Sequence, residues 1–376
     1  VNVRGPFSKV SFEPINLNSA DQVKKYLLSI GWKPTEWNYQ RGVDGRPLRI
    51  DGHLIKTSPK ITEDSLDSIE GDFGTLFREY TKYSHRRKMI ENFNDPENKG
   101  LLSYVREDGT IAAEAITMGT PTARYKHKVV ANIPRPGSFL GADMRSLFTV
   151  PNGCIMIGSD LSGIEARLMA HLSILFDDPE FASILLTNPD IHTWTAEQIG
   201  IQIGMTISRG DAKSLRYALS YGAQAPKIAT MLGIKEGVAK KIIEAFWNSQ
   251  EGLKRAKEAL EAALKNKGYI KGLDGRKLYL TAKHTLLNYY IQSAAAIIFK
   301  RWMILFNSLI EDAEFDKLIK QIIAYHDELQ YKACPDIFNW AVQGLSLTCQ
   351  RAGEYYNIKV PIECETKVGF TWEDTH

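Results

Sequence analysis

The chain has 376 residues, enough to bury a large core in one to three domains, with 44% hydrophobic and 24% charged residues. A formal net charge of +3 is too small to identify a nucleic-acid partner, because local charge and not the total decides that. Cys154, Cys334, Cys349 and Cys364 lack metal-ligand spacing and read as reduced thiols, no apolar run reaches membrane-spanning length, and no signal-peptide pattern opens the chain, so a cytoplasmic location without a membrane partner is expected.

Taken in chain order, residues 1–20 begin with a short alternating stretch and end in FEPINLNSA. Asn18 or Ser19 is placed to cap a helix running to about Ile30, stopped by Gly31. The glycines and prolines of 39–62 read as loop. A helix from about Phe73 to Phe93 carries Arg78, Lys82, His85, Arg86, Arg87 and Lys88, either a solvated face or a clamp on duplex phosphates; Asn94 to Gly100 ends it. Residues 103–134 read as strands and turns, with Asp108-Gly109 at a hairpin turn. An apolar run at 154–158 feeds Asp160, and a mainly helical block covers 161–267. A hairpin at 268–280, a helix at about 283–311, strands at 321–325 and 328–333 and a helix at 336–355 follow. Sheet segments bracketing a long helical insertion argue for α+β rather than alternating βαβ.

Three segments carry chemistry: IGSDLSGIEARLMAHLS at 157–173, SRGDAKSLRYALSYGA at 208–223 and IIAYHDELQY at 322–331. An aspartate at a strand end, such as Asp160, is commonly only a helix cap. The second carboxylate changes that reading, because Asp327 sits between apolar runs as at a hairpin tip. Half-buried acids without a cation are costly, so two at adjacent strand ends suggest a metal pair. Between them, Arg209, Lys213, Tyr217 and Tyr221 are spaced by four and share one helix face, drifting about 40° per step. Two cations and a ring on that face suit a triphosphate and its sugar, although a plain surface helix has the same pattern.

The order and wording of these segments resemble the family A (DNA polymerase I-like) DNA polymerases, those of bacteriophages above all. DLSGIEARLMAHLS resembles polymerase motif A, which implies Asp160 and the Leu161 carbonyl as metal ligands and Glu165 as a gate against a ribose 2′-hydroxyl. RGDAKSLRYALSYG resembles motif B, implying Arg209 and Lys213 on the incoming phosphates, Tyr217 against the deoxyribose and Tyr221 near the templating base. His326-Asp327-Glu328 resembles motif C, with Asp327 as the second metal ligand and its neighbours His326 and Glu328 at the DNA. Asp190-Ile191-His192-Thr193 matches the fingers tetrad, whose histidine also meets phosphate. Thr122-Ala123-Arg124 stands where the family has Thr-Gly-Arg, so Arg124 is implied at the minor groove, as are Asn288 and Gln292. Asn132-Ile133-Pro134 and Leu273 to Lys277 match as well. Four features depart from the pattern: Ala123 for glycine, Arg216 where an apolar or amide residue is common, Tyr325 before His-Asp-Glu, and a shortened loop after Arg124 that leaves His127 and Lys128 without clear contacts.

The resemblance implies a right-hand α+β fold with an antiparallel-sheet palm, helical fingers and a partial helical thumb. The expected division is 1–110 partial thumb, 111–171 palm, 172–280 fingers and 281–376 palm again. The implied activity is addition of deoxynucleotides to a primer 3′-hydroxyl on a template, using two Mg²⁺ ions, with Mn²⁺ as a substitute. A single-subunit RNA polymerase and a non-catalytic DNA-binding replisome subunit are the rivals. Glu165 with His-Asp-Glu speaks against the first, and the filled chemical positions against the second. In the family a proofreading exonuclease domain and the first thumb helix lie upstream of this region, and Asp95-Pro-Glu97 reads as a turn. A core without proofreading is therefore expected, either half of a split polymerase or a truncated one. Its expected partners are primer-template DNA, dNTPs and a separate exonuclease/thumb subunit or processivity factor.

Overall fold

Ser19 caps the first helix: its hydroxyl accepts the Gln22 N–H at 3.5 Å, and the helix, α1 (Ala20–Ser29), ends before Gly31 at a φ of +92°. The computed structural model describes residues 14–376 except 44, 46, 52, 63, 64, 66, 67, 93–98, 131, 132, 189 and 281. The chain forms two compact units, Val1–Ile111 and Ala112–His376.

In the first unit, Val23 and Leu27 on the inner face of α1 are fully buried against Trp32, Ile69 and Phe77 of α2 (Gly71–Glu91). The expected loop at 39–62 instead holds two small antiparallel sheets. β1 (Trp37–Tyr39) pairs with β4 (Lys56–Pro59), and β2 (Arg49–Ile50) pairs with β3 (His53–Leu54). Strands of two to four residues are too short to leave an alternation in the sequence, and only their turns did. The hairpin at Asp108-Gly109 forms, closed by Arg106 N–H to Thr110 O at 2.8 Å. The alternating N-terminal stretch, Asn132 and the turn at Asp95-Pro-Glu97 lie outside the described residues.

The second unit is built on a four-stranded antiparallel sheet in the order β10 (Ile319–Tyr325), β11 (Glu328–Ala333), β7 (Ile155–Leu161), β12 (Cys364–Gly369). Ahead of it, β5 (Ala115–Ile116) pairs with β6 (Lys126–His127), and α3 (Gly141–Ser146) follows. Ile157, Leu161, Leu329 and Tyr331 join the main core with α4 (Ile164–Leu175), α5 (Pro179–Thr187), α11 (Leu286–Asp312) and α12 (Phe338–Tyr355). On the other face the sheet is packed close: a Cβ on Gly158 would lie 2.4 Å from Gln330 Nε2 and 2.5 Å from Thr375 O.

Between β7 and β10 lies the helical insertion. Four of its helices, α6 (Ile191–Ile203), α7 (Arg209–Ser220), α8 (Ala225–Leu232) and α9 (Glu236–Asn248), enclose a core of their own that includes Ile199, Leu215, Ile228, Ile242 and Phe246. The long α10 (Glu251–Lys267) leads into the hairpin of β8 (Ile270–Lys271) and β9 (Lys277–Leu278). Contrary to the expectation from composition, Lys283–Asp312 is long and apolar enough to cross a membrane. Many of its apolar side chains are core, with Ile298, Trp302 and Phe306 fully buried, while Ile304 is exposed.

Candidate active site

Asp160 lies inside β7 rather than beyond its end, flanked by both neighbours in the sheet: Glu328 of β11 and Glu365 of β12 are its partners in register. The low strand preference of aspartate is overridden by pairing on both sides. Asp327 lies at the tip of the β10–β11 hairpin, where Tyr325 pairs with Glu328 and only His326 and Asp327 make the turn. His326 takes a φ of +56° there, the left-handed conformation that a two-residue turn demands. The Leu161 N–H donates to the Asp327 carbonyl at 3.2 Å, so one backbone bond ties the two acidic segments together.

The electrostatics match that closeness. Desolvation, then the charges of Asp327 and Glu328, push the Asp160 carboxyl up to about 7, although it stays open to solvent on one side. Burial also raises Asp327 and Glu165, and in both cases the Arg124 guanidinium opposes the rise. Carboxylates that resist ionising beside one another are what a divalent cation relieves. Two of them plus a backbone carbonyl, with remaining positions left to water or phosphate, are a donor set suited to Mg²⁺. Among the described residues no three His, Cys, Asp or Glu side chains converge on one point.

A cleft of about 360 Å³ opens at this point, lined by Asp160, Leu161, Glu165, His192, Arg216, Tyr217 and Asp327 among others. Six of the residues expected at the site therefore share one cavity. His192 enters from the first turn of α6, whose cap is Asp190, accepting from Thr193 N–H at 3.3 Å. Burial and the charges of Arg216, Arg209 and Lys213 hold the His192 imidazole below its ordinary value. Tyr217 comes from α7, which Ser208 caps by accepting the Asp211 N–H at 3.0 Å. The buried side of α7 carries Ala212, Leu215, Arg216 and Leu219, leaving Arg209, Lys213 and Tyr217 on the exposed side.

Arg209 and Lys213 do not line the cleft. Arg209 donates its Nε to Asp190 Oδ2 at 2.7 Å, a contact that holds the Asp190 carboxyl well below the usual range together with Thr193. Tyr221 follows α7 at 42% exposure, outside the cleft. Asn288 and Gln292, one turn apart on α11, are half-buried and also outside it.

Arg124 follows Ala123, which adopts a φ of +63° where a glycine would be unstrained. The turn is held by Arg124 N–H to Thr120 Oγ1 at 2.9 Å and by Lys300 Nζ to the Ala123 carbonyl at 2.7 Å. His127, whose role the sequence left open, buttresses the hairpin: its Nε2 accepts the His326 N–H at 3.4 Å and its ring lies 4.7 Å from that of Tyr325. Burial and the nearby His326 lower its imidazole to about 4. Glu328, expected at the DNA, is drawn inward instead. It is 3% exposed and accepts from Trp372 Nε1 at 2.6 Å, from Gln330 and from His376 Nδ1 at 2.7 Å. The sequence signal for that network is the polar alternation Glu328, Gln330 opposite a terminal Trp372-containing turn, which is legible only once the register is known.

Residues 6–374 match the profile of DNA polymerase family A. The chain is 27% identical over 401 residues to the DNA-directed DNA polymerase of Enterobacteria phage T3, covering 99% of this chain and 54% of that protein. It is 26% identical over 400 residues to the DNA-directed DNA polymerase of Escherichia phage T7, with the same 99% and 54% coverage. DNA polymerase I of Lactococcus lactis subsp. cremoris is 28% identical over 388 residues, 96% of this chain and 40% of that one. The chain thus spans about half the length of the phage relatives it matches. The POL domain of Pol1 from M. smegmatis, in complex with DNA primer-template and dNTP, shares the fold at a TM-score of 0.73 and 24% identity, covering 96% of this chain and 62% of that chain.

Proposed function

Because the chain belongs to DNA polymerase family A, we propose that it catalyses template-directed addition of deoxynucleotides to a primer 3′-hydroxyl. The observation that carries this reading is the pair Asp160 and Asp327, joined through the Leu161–Asp327 backbone bond at a cleft that also holds Glu165, His192 and Tyr217. Asp160, Asp327 and the Leu161 carbonyl are the groups that would hold two Mg²⁺ ions. When bound, such ions lower the pKa of an attacking hydroxyl and stabilise the leaving oxygen.

The chain's own residues do the positioning. Arg209 and Lys213, on the exposed side of α7, grip the triphosphate, and Arg209 must exchange Asp190 for phosphate to do so. His192 adds a nitrogen from the adjoining α6. Tyr217 stacks on the sugar, and Glu165 leaves no room for a 2′-hydroxyl beside it. Tyr221 meets the templating base, while Arg124, Asn288, Gln292 and His326 contact the primer-template. In this reading residues 1–110 act as part of the thumb, 111–171 and 281–376 as palm, and 172–280 as fingers whose closure aligns the nucleotide. Partners are primer-template DNA, dNTPs and a separate exonuclease/thumb subunit or processivity factor, in the cytoplasm, which is that of a bacterial host if the chain is phage-encoded.

Primer extension on a short template-primer with Mg²⁺ tests the proposal, first with dNTPs and then with rNTPs. Extension with dNTPs alone supports it. Extension with rNTPs at equal efficiency makes the protein an RNA polymerase, and DNA binding with no extension, even with an added exonuclease/thumb subunit, makes it a non-catalytic subunit.

A further inference from the structure

Arg216 reaches the cleft from the buried side of α7, and it has no counter-charge among the described residues. The residue is 6% exposed, and its Nη2 donates to Thr195 Oγ1 at 2.9 Å. The guanidinium carbon lies 6.0 Å from the centroid of the Phe181 ring. Its Nε has no hydrogen-bond partner among the described residues. Asp160, Glu165 and Asp327 line the same cleft, yet none of them bears on its charge. Burial lowers its affinity for the proton to about 10, and only the Tyr217 hydroxyl counters that. In the same cavity His192 Nδ1 is a second buried nitrogen without a partner among the described residues.

A desolvated cation with an unused donor is unfavourable to the fold by itself, and a bound anion removes the penalty. We propose that Arg216 is a third cation for the incoming triphosphate, balanced only when a polyphosphate occupies the cleft. The inference rests on the polymerase reading and adds a residue to it. Arg209 and Lys213 stand in solvent, where charge is screened, and Arg209 must first leave Asp190. Arg216 is already desolvated, so its attraction for an anion is less weakened by water, and Thr195 holds its planar fork so that little has to be ordered on binding. A guanidinium serving only to tie α6 to α7 through Thr195 has the opposite signature: its removal weakens the fold and leaves nucleotide binding alone.

The test is thermal unfolding of the whole chain with and without inorganic tripolyphosphate, free of divalent cation, for the wild type, Arg216→Met and Arg216→Gln. It is paired with single-nucleotide insertion kinetics. The expected result is that tripolyphosphate stabilises the wild type, and that both variants unfold at or above the wild-type temperature without it and lose most of the shift. The KM for dNTP rises roughly tenfold or more, kcat changes by less than KM, and primer-template affinity is unchanged. Arg216→Lys recovers part of the shift. Should Arg216→Met fail to fold, Arg216→Gln, which can still reach Thr195 without a charge, decides alone. A variant that keeps both the tripolyphosphate shift and the wild-type KM overturns the inference while an extending wild type leaves the polymerase reading intact. A wild type that never extends a primer, yet whose tripolyphosphate shift vanishes in Arg216→Gln, overturns the polymerase reading and keeps the anion site.

Discussion

Asp160 of β7 and Glu328 of β11 are direct partners across the sheet, yet their carboxyl groups are driven in opposite directions. Asp160 is raised by desolvation and neighbouring acids. At Glu328 burial also favours the neutral form, but it is outweighed by the hydrogen bonds of His376, Gln330 and Trp372 and by the His376 charge, and the group is held below its ordinary value. One carboxylate is left wanting a cation, and the other is already satisfied by the protein.

Glu328→Ala should therefore act on stability. It leaves the Trp372, Gln330 and His376 donors facing a cavity, which should lower unfolding free energy by about 3 kcal/mol in urea denaturation. Primer-template affinity of the folded fraction should stay as in the wild type. Weakened DNA binding at unchanged stability would return Glu328 to the DNA.

Asp160→Asn and Asp327→Asn keep the shape of the site and remove the charge. Each should reduce primer extension by roughly a thousandfold or more, with primer-template binding largely retained. Gel-shift and extension assays on the same preparations check this, and normal turnover in either variant sinks the metal assignment.

His171 predicts a pH dependence remote from that chemistry. It is 4% exposed, and its Nδ1 accepts the Lys359 N–H at 3.1 Å, so the folded protein keeps it neutral. Burial and then the Lys359 charge lower it to about 4. The unfolded chain takes up the proton below about pH 6.5 and the folded chain does not, so stability falls as pH drops through this window. The loss should reach about 2 kcal/mol by pH 5. His171→Asn, which keeps an acceptor for Lys359, should flatten that part of the pH profile in urea titrations at pH 7 and pH 5. An unchanged slope refutes the assignment.

Gly158→Ala tests the packing beneath the carboxylates. The new methyl meets Gln330 Nε2 and Thr375 O at 2.4 and 2.5 Å, so β7 or the 372–376 turn must shift. Overpacking of this kind should cost about 1–3 kcal/mol and slow extension, because the same strand carries Asp160. Differential scanning calorimetry beside primer extension reads both effects; a variant as stable and as active as the wild type contradicts the packing described.

Much of this site was legible before any coordinates. Asp327 announces itself because apolar runs flank it on both sides, as two paired strands require, and the exposed face of α7 because Arg209, Lys213 and Tyr217 recur every fourth residue beside a buried pattern, although of these three only Tyr217 lines the cleft. β12 was invisible: Cys-Glu-Thr-Lys-Val-Gly carries polar residues on both faces, and only its pairing with β7 makes it a strand. Arg216 stood out as an unusual residue, but a cation next to an exposed tyrosine reads as surface until the helix is packed and its 6% exposure is known. Glu328 misled for the converse reason. It follows the exposed His326 and the half-buried Asp327, and no local pattern says that Trp372 and His376 return to cover it.

The position of β7 between β11 and β12 also sets a clock. Asp160 emerges from a ribosome roughly 200 residues before Cys364, an interval of about 10–40 s at ordinary synthesis rates. For most of that time, until Glu328 is made, the strand bearing it has neither neighbour, and it lacks β12 to the end of the interval. The helical insertion, with its self-contained core, can fold meanwhile. Nascent chains stalled before residue 328 should therefore hold folded α6–α9 but an unpaired β7 open to aggregation, and catalytic competence should arrive abruptly, late in synthesis, when the last strand docks.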